Sequence, residues 1–297
     1  MTDTIAGFIR RRVAVNGIQI SIQEAGRGAP LILVHGYPQN GLCWARVAPA
    51  FAARSRVIIP DLRGYGQSDA PADDAAHTTY SKRIMAQDIT ALMDTLNLGT
   101  AMILGHDRGA RVAYRLALDH PARVTRLGII EIAPTSDYWA AWNAEMALAA
   151  YHWTFLAQPA PLPERMINAD PTAYIDWTLA SWTLTKSLAA FPEASLAAYR
   201  AQARDPSRIA AMCADYRAGA TTDRQIDLAD RAADRRITAP LRFLWGRHGF
   251  PARTGDPAGI WRNWATDVTD ASCESGHFVM EENPGAVLST FLPFFAP

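Results

Sequence analysis

The stretch GHDRGAR, at positions 105–111, decides how the rest of the chain is interpreted. It follows an apolar run at 100–104 (TAMIL) and precedes a segment with helical spacing at 112–118 (VAYRLAL). A buried strand, a sharp turn between glycines and a helix together place the central residue of such a stretch at the carboxyl edge of a sheet. The pattern therefore predicts an α/β sheet that presents Asp107 at its edge.

The alternation of strand and helix continues on both sides of this turn. Helical spacing predicts helices at 84–98 and near 284–295, and an Asn-Gly pair at 16–17 predicts a hairpin within 11–24. Short apolar runs that end in turn residues predict buried strands, at 31–34, 57–60, 101–104, 124–132, 241–246 and 268–272. We therefore expect an α/β fold with a mostly parallel sheet flanked by helices.

The rhythm changes near Pro134. Residues 136–225 contain many Trp, Tyr, Ala and Leu residues at helical spacing and few strand signals. We predict an inserted helical cap at 136–225, within a core formed by residues 1–135 and 226–297. The segment 226–236, rich in Ala, Asp and Arg, is expected to be a solvated connection or a helix.

Composition excludes several classes of partner. The 297 residues suffice for one large domain with an insertion. The 29 basic and 29 acidic residues balance, so bulk charge gives no reason to expect nucleic acid or an anionic membrane. Three distant cysteines favour a reducing compartment over disulfides or zinc. With no signal-peptide pattern and no apolar run of membrane-spanning length, we expect a cytoplasmic protein without metal or cofactor.

An aspartate at this turn changes the chemistry that a serine would perform. A carboxylate can displace a leaving group from saturated carbon and form an ester with the protein. Water must then attack the carboxyl carbon of Asp107, which requires a general base and an oxyanion hole. The pattern therefore indicates loss of a halide or opening of an epoxide. The simpler alternative is that Asp107 only caps the following helix.

The general base is predicted to be His277, in ESGHF at 274–278, beyond the last predicted strand. The alternative is a packed or surface histidine. Glu131, at the end of the strand after the elbow helix, is the preferred group to orient the imidazole. Its alternatives are a salt bridge to an arginine or, after strand 241–246, replacement by Asp256.

The loop HGYP at 35–38 and the elbow itself supply the expected oxyanion hole. Its donors would be the backbone N–H groups of Tyr37 and Arg108. Arg108 and Arg111 are three residues apart, so both side chains can lean to one side of the helix start, where the macrodipole favours anions. They suggest a bound substrate carboxylate, and hence a short 2-halo acid. The alternative is that they pair with Asp107 or Glu131.

These motifs resemble those of fluoroacetate dehalogenases, the haloacetate dehalogenases of the α/β-hydrolase superfamily. The resemblance covers nearly the whole chain and includes its cap. It rests on HGYPQN (35–40), DLRGYGQSD (61–69), GHDRGARVAYRLALD (105–119), YHWTFLAQPAPLPE (151–164), DYRAGA (215–220) and ESGHF (274–278).

The resemblance implies Asp107 as nucleophile, His277 as base, and Arg108 with Arg111 as a carboxylate clamp. It also implies a halide pocket formed by His152, Trp153 and Tyr216, whose N–H and O–H groups can converge on one anion. Trp182 resembles a further pocket wall. Relatives are usually homodimers, which is our expectation here, with a small haloacid as the substrate.

One residue departs from the family pattern. Glutamate occupies position 131, where these enzymes usually carry aspartate, and this puts competence towards fluoride in doubt. Competing interpretations are a haloalkane dehalogenase, which usually has Trp after the nucleophile, and an epoxide hydrolase, in which Tyr216 would protonate the epoxide oxygen. A non-catalytic binding protein of the same fold is a third, against which the Asp107–His277 pair argues.

Overall fold

An eight-stranded sheet forms the centre of the computed structural model, which describes residues 4–296. Its order is β1-β2-β4-β3-β5-β6-β7-β8. Strand β2 is antiparallel to β1 and β4, and the other neighbours are parallel. The strands are β1 (Ile9–Val15), β2 (Ile18–Ala25), β3 (Pro30–Val34), β4 (Arg56–Pro60), β5 (Ala101–His106), β6 (Val124–Ile130), β7 (Leu241–Gly246) and β8 (Val268–Cys273).

Helices cover the sheet and fill the connection between β6 and β7, which confirms the predicted α/β-hydrolase architecture. Within residues 4–296, three short 3-10 turns lie at Gly41–Trp44, Pro121–Arg123 and Pro251–Thr254. The α-helices are α1 (Ala48–Ala52), α2 (Lys82–Thr95), α3 (Arg108–Asp119), α4 (Thr135–Ala140), α5 (Ala144–Ala149), α6 (His152–Leu156), α7 (Leu162–Ala169), α8 (Pro171–Trp182), α9 (Glu193–Ala203), α10 (Pro206–Ala220), α11 (Thr222–Ala232), α12 (Pro257–Arg262), α13 (Val279–Glu282) and α14 (Pro284–Phe294).

Apolar sequence explains the position of the central strands. Strand β5 is buried along its whole length and pairs in parallel with β3 and β6, as expected where both faces of a sheet are covered. The predicted hairpin is confirmed at the edge of the sheet. Asn16 and Gly17 join β1 to β2 with φ of 45° and 78°, which matches the twist that a two-residue turn needs.

The turn between β5 and α3 is tight because glycines flank it. A Cβ on Gly105 would lie 2.5 Å from the Ala110 Cα, and one on Gly109 would lie 2.2 Å from the His35 carbonyl oxygen. Between them Asp107 has φ 48° and ψ −120°, a conformation that costs a non-glycine residue about 1–3 kcal/mol. The close approach of α3 to β3 holds Asp107 at the carboxyl edge of the sheet.

Helices α4 to α11 all lie between β6 and β7, and most of their residues fall in the region 136–225 predicted to form the cap. Helix α11 crosses the predicted boundary at 225/226, and its Asp227 and Asp230 bind Arg115 of α3. The segment after residue 226 is therefore helical to Ala232 and packs on the sheet-covering helix. The division into a core and a cap stays a prediction.

Strand β6 is two residues shorter than predicted. It ends at Ile130, because Glu131 takes φ 62° and leaves the extended conformation. Within residues 4–296, no helix combines the length and the apolar character needed to span a bilayer.

Candidate active site

The elbow holds the two oxygens of Asp107 differently. The backbone N–H of Tyr37 donates to Oδ1 at 2.8 Å, while Oδ2 lies 3.7 Å from Nε2 of His277. The Tyr37 N–H therefore lies against Asp107, and its role as an oxyanion donor stays a prediction. The backbone N–H of Arg108, the other predicted donor, forms no hydrogen bond with Asp107 among the described side chains. One carboxylate oxygen is thus fixed by the backbone, and the other is left to react.

His277 lies on the loop after β8 and is held by its main chain. Its N–H donates to the carbonyl of Trp182 at 2.9 Å, and its carbonyl accepts from Nε2 of His106 at 2.8 Å. Neither imidazole nitrogen has a hydrogen-bond partner within residues 4–296. Burial, helped by His106 and Arg111, lowers the pKa of His277 to about 3. The ring is therefore neutral and free to accept a proton.

Glu131 approaches His277 without binding it. Its Oε1 lies 3.8 Å from Nδ1 of the imidazole, beyond hydrogen-bond range. Its oxygens instead accept from the backbone N–H groups of Gly246 (2.6 Å) and Phe250 (2.8 Å). Burial raises the pKa of Glu131, and these two donors oppose the rise. The alternative acid, Asp256, caps α12 through the Gly259 N–H, so Glu131 is the acid beside the imidazole.

The Arg108 guanidinium, which is completely buried, pairs with an acid that the sequence interpretation did not single out. Its Nε donates to Oδ1 of Asp215 at 3.0 Å, and its Nη2 bonds both that oxygen and the Asp215 carbonyl. Arg111 has no acid partner among the described residues. Its Nη1 donates to the Ala133 carbonyl and to Oγ1 of Thr135, both at 3.0 Å. The expected alternative, pairing of either arginine with Asp107 or Glu131, does not occur in the described part of the chain.

Aromatic residues of α6 and α10 lie against these two guanidiniums. The Arg111 Cζ is 4.6 Å from the Trp153 ring centre, and the Arg108 Cζ is 4.3 Å from that of Tyr216. His152 contacts Tyr216 and stacks on Tyr37 at the oxyanion loop. The structure thus brings the three predicted halide-pocket residues together beside Asp107.

Several buried polar atoms in this region have no hydrogen-bond partner within residues 4–296, and we call them the donor cluster. Because buried polar groups in folded proteins are nearly always paired, such a concentration makes this region a candidate ligand site. Burial also lowers the pKa of His152, so its imidazole is neutral. The donor cluster comprises Arg108 Nη1, Arg111 Nε, Tyr138 Oη, His152 Nδ1 and Tyr216 Oη.

A cavity of about 250 Å³ has His277 in its lining. Trp182 lines this cavity, and its ring centre lies 4.2 Å from the ring centre of His152, as expected for a pocket wall. Phe250, whose N–H binds Glu131, forms another part of its lining, and Lys186 and Arg253 carry positive charge there. No group of His, Cys, Asp and Glu side chains within residues 4–296 is arranged to hold a metal ion.

Sequence interpretation missed the partners of Arg108. Asp215 immediately precedes Tyr216 in DYRAGA, so its presence could be read from the motif, but its direction could not. Tyr138 and Phe250 gave no signal of their own in a chain with many aromatic residues.

A profile described as the alpha/beta hydrolase fold matches residues 29–284. A fluoroacetate dehalogenase from Burkholderia sp is 40% identical over 278 residues, covering 94% of this chain and 90% of the relative. A soluble epoxide hydrolase from Corynebacterium sp. (strain C12) is 34% identical over 285 residues, covering 95% and 96%.

Solved structures agree with the fold. A candidate alpha/beta hydrolase from Nostoc sp PCC 7120 superposes with a TM-score of 0.94 at 42% identity, covering 97% of this chain and 98% of that chain. The relatives thus carry two different hydrolytic activities on one architecture.

Proposed function

The chain belongs to the alpha/beta hydrolase fold family, and from that membership we propose that it is a hydrolytic dehalogenase of short 2-haloacids such as chloroacetate and fluoroacetate. The observation that carries the proposal is the donor cluster beside Asp107. It consists of buried guanidinium, imidazole and phenol atoms without a hydrogen-bond partner within residues 4–296, and such atoms suit two anions, a substrate carboxylate and a departing halide.

In the first step, Oδ2 of Asp107 attacks the α-carbon of the haloacid. The carbon–halogen bond breaks as the ester bond forms, and the halide leaves with the bonding electrons. Arg108 and Arg111 bind the substrate carboxylate, which reduces its repulsion from Asp107. His152, Trp153 and Tyr216 stabilise the halide as its charge develops. Burial acts to raise the pKa of Asp107, but the electrostatic influence of His277, His106 and both arginines outweighs it and lowers this pKa, so the nucleophile is ionised.

In the second step, water attacks the Asp107 carboxyl carbon and gives a proton to His277. The negative charge develops on Oδ1, which already accepts from the Tyr37 N–H. Collapse of the intermediate expels the glycolate oxygen, which takes the proton back from His277. The acid left on Asp107 then ionises, and the net products are glycolate, halide and a proton.

An epoxide hydrolase is the second candidate. The unpartnered Oη of Tyr216 favours it, because a phenol in that position could protonate an epoxide oxygen. It leaves Arg108 and Arg111, which have no role towards a neutral epoxide, unexplained. Release of halide and glycolate from chloroacetate, measured beside diol formation from styrene oxide, separates the two activities.

The covalent route is tested with His277→Asn. Incubated with chloroacetate, this variant should accumulate the carboxymethyl ester, because attack by Asp107 proceeds and water activation does not. Intact mass and peptide mapping should find one carboxymethyl group on Asp107. The double variant Asp107→Ala/His277→Asn is the control and should remain unmodified. Chloride release by His277→Asn without any adduct would contradict the covalent route.

We also propose a homodimer. Leu162, Met166 and Trp177 on α7 and α8 are all more than half exposed, and such apolar surface is typical of a protein interface. Light scattering during size-exclusion chromatography should give twice the 32.5 kDa chain mass. A monomer mass at micromolar concentration would refute the homodimer.

A further inference from the structure

A buried carboxylate on α10 joins three groups from the sheet-bearing part of the chain. Asp215 is fully buried and accepts from Arg108 of α3, from Nζ of Lys82 at the start of α2, and from Oη of Tyr65 at 2.8 Å. The charges of Arg108 and Lys82 outweigh its burial and lower the pKa of Asp215 to about 2. It is therefore ionised, although no step of the proposed reaction uses it.

Asp215 fixes the direction of the guanidinium. Nε and Nη2 both donate to the same oxygen, Oδ1, so the carboxylate takes the edge of the guanidinium that these two nitrogens form. Nη2 donates in addition to the Asp215 carbonyl at 2.6 Å. The opposite edge, with Nη1, is left without a partner among the described residues and contributes to the donor cluster.

The rest of α10 encloses the same group. The ring of Tyr216 covers the guanidinium face at 4.3 Å from Cζ. One helical turn after Asp215 there is a glycine, and a Cβ on Gly219 would lie 3.0 Å from Nη2 and 3.2 Å from Nη1 of Arg108. Positions 215 and 219 are four residues apart and lie on one side of the helix. Asp215 thus binds one edge of the Arg108 guanidinium, and Tyr216 covers its face. Gly219, which has no side chain, leaves the space that the guanidinium occupies.

Lys82 shares the carboxylate that pairs with Arg108. Its ammonium bonds the same Asp215 oxygen, and it lies 3.8 Å from Asp223. Because Asp215 lies at the Nε and Nη2 edge of the guanidinium, part of the positive field of Arg108 still acts on the side of Nη1. That residual field favours an anion at the donor cluster over a neutral ligand.

We infer that Asp215, Tyr216 and Gly219 form an arginine cradle that positions Arg108 for the substrate carboxylate, so that α10 determines specificity for anionic substrates. The inference rests on the proposed function in one respect, that Arg108 faces the haloacid. Asp215 and Gly219 are positioning residues, since they act through Arg108 and not on the substrate.

The first test is the KM of Asp215→Asn for chloroacetate. Loss of the charged edge lets the guanidinium turn away, and we expect KM to rise about tenfold or more, with a smaller change in kcat. Asp230→Asn is the matched control, because it removes a similarly buried partner from Arg115, which is not part of the proposed site. Asp230→Asn should lose stability and keep its KM. An unchanged KM in Asp215→Asn would overturn the cradle.

Gly219→Ala provides the second test, because helix propensity alone predicts a change in stability and no change in KM. In a helix, alanine is normally more stable than glycine, so a glycine without another role should yield a more stable protein with unchanged kinetics. The cradle predicts a raised KM, because the new methyl displaces Nη1 and Nη2. This variant decides the question even where Asp215→Asn fails to fold.

Failure of the cradle and failure of the proposed function give different results. Wild-type protein that releases no chloride from chloroacetate refutes the function, and acetate binding, followed by tryptophan fluorescence, then tests the cradle alone. Trp153 reports the site, since its ring centre lies 5.6 Å from the Arg108 Cζ. About tenfold weaker acetate binding in both variants supports the cradle. Equal affinity in wild type and variants, or no binding by any of them, overturns it.

Discussion

His277 owes its protonation state chiefly to burial. His277 is 2% exposed and its pKa lies about 3, far below that of a histidine in water. Asp107 is the neighbour that acts to raise this pKa. Formation of the ester removes that negative charge, so the base in the intermediate has no reason to titrate at a higher pH.

We therefore expect kcat for chloroacetate to be flat from pH 8 down to pH 5. His277 works in its neutral form, so activity is present above its pKa and disappears as the pH falls through about 3. A histidine of ordinary pKa would leave only about 3% of the base neutral at pH 5. Circular dichroism at each pH controls for acid unfolding. A midpoint near 6.5 with the fold intact would contradict this account.

Residues with a fixed place in a motif could be predicted, and those defined by a distant contact could not. Asp107 and His277 follow from the strand–turn–helix pattern and the end of the last strand. Asp215 lies 107 residues from Arg108 in sequence, and no local periodicity indicates which acid reaches a buried arginine. The side chain of Glu131 shows the same limit, because its hydrogen bonds go to the main chain of a loop more than 100 residues away.

At the scale of elements, the contact of α3 with β3 positions the nucleophile. Gly109→Ala should destabilise the protein by about 3 kcal/mol or more, because the new methyl would meet the backbone oxygens of Val34 and His35. Chemical denaturation measures the loss. Gly99→Ala is the control, since a Cβ on Gly99 has no atom within 4 Å. Equal stability of the two variants would show that the helix can move back without penalty.

Element order was predictable because β-strand and helix periodicities alternate along the chain. The exact ends were less so. β6 was predicted to reach residue 132 and ends at Ile130, since a positive φ at Glu131 has no signature in an apolar run. The sequence does not decide between a solvated connection and a helix in the segment that contains most of α11. Its apolar side chains are few, and its packing uses Asp227 and Asp230.

Across the whole molecule, one buried acid joins three distant segments of the chain. Glu281 of α13 follows His277 closely in sequence and binds Gln39, next to the oxyanion loop, and Tyr199 of α9. Arg46 donates to its carbonyl. Burial raises the pKa of Glu281 to about 8, with the hydrogen bonds of Tyr199 and Gln39 opposing the shift.

This acid gives the fold a pH dependence whose sign is fixed. The folded pKa is above the unfolded one, so its contribution is fully present below about pH 4.5 and is lost as the pH rises towards 8. Between pH 5 and pH 8.5, the free energy of unfolding should fall by about 3 kcal/mol less in Glu281→Gln than in the wild type, as measured by urea denaturation. Glu193→Gln, at an exposed position on α9, should keep the wild-type slope. A slope unchanged in Glu281→Gln would sink the assignment.

The backbone partners of Glu131 determine which substitutions residues 246–250 can accept during evolution. Every amino acid except proline supplies a main-chain N–H, so substitution at 250 by any of them leaves that donor in place. Positions 246 and 249 are different, because a Cβ on Gly246 would lie 2.3 Å from the Gly276 carbonyl oxygen and one on Gly249 would lie 1.6 Å from Oε1 of Glu131. A saturation library over 246–250 should therefore tolerate broad variety at 247 and 248, lose proline at 250, and retain only glycine at 246 and 249.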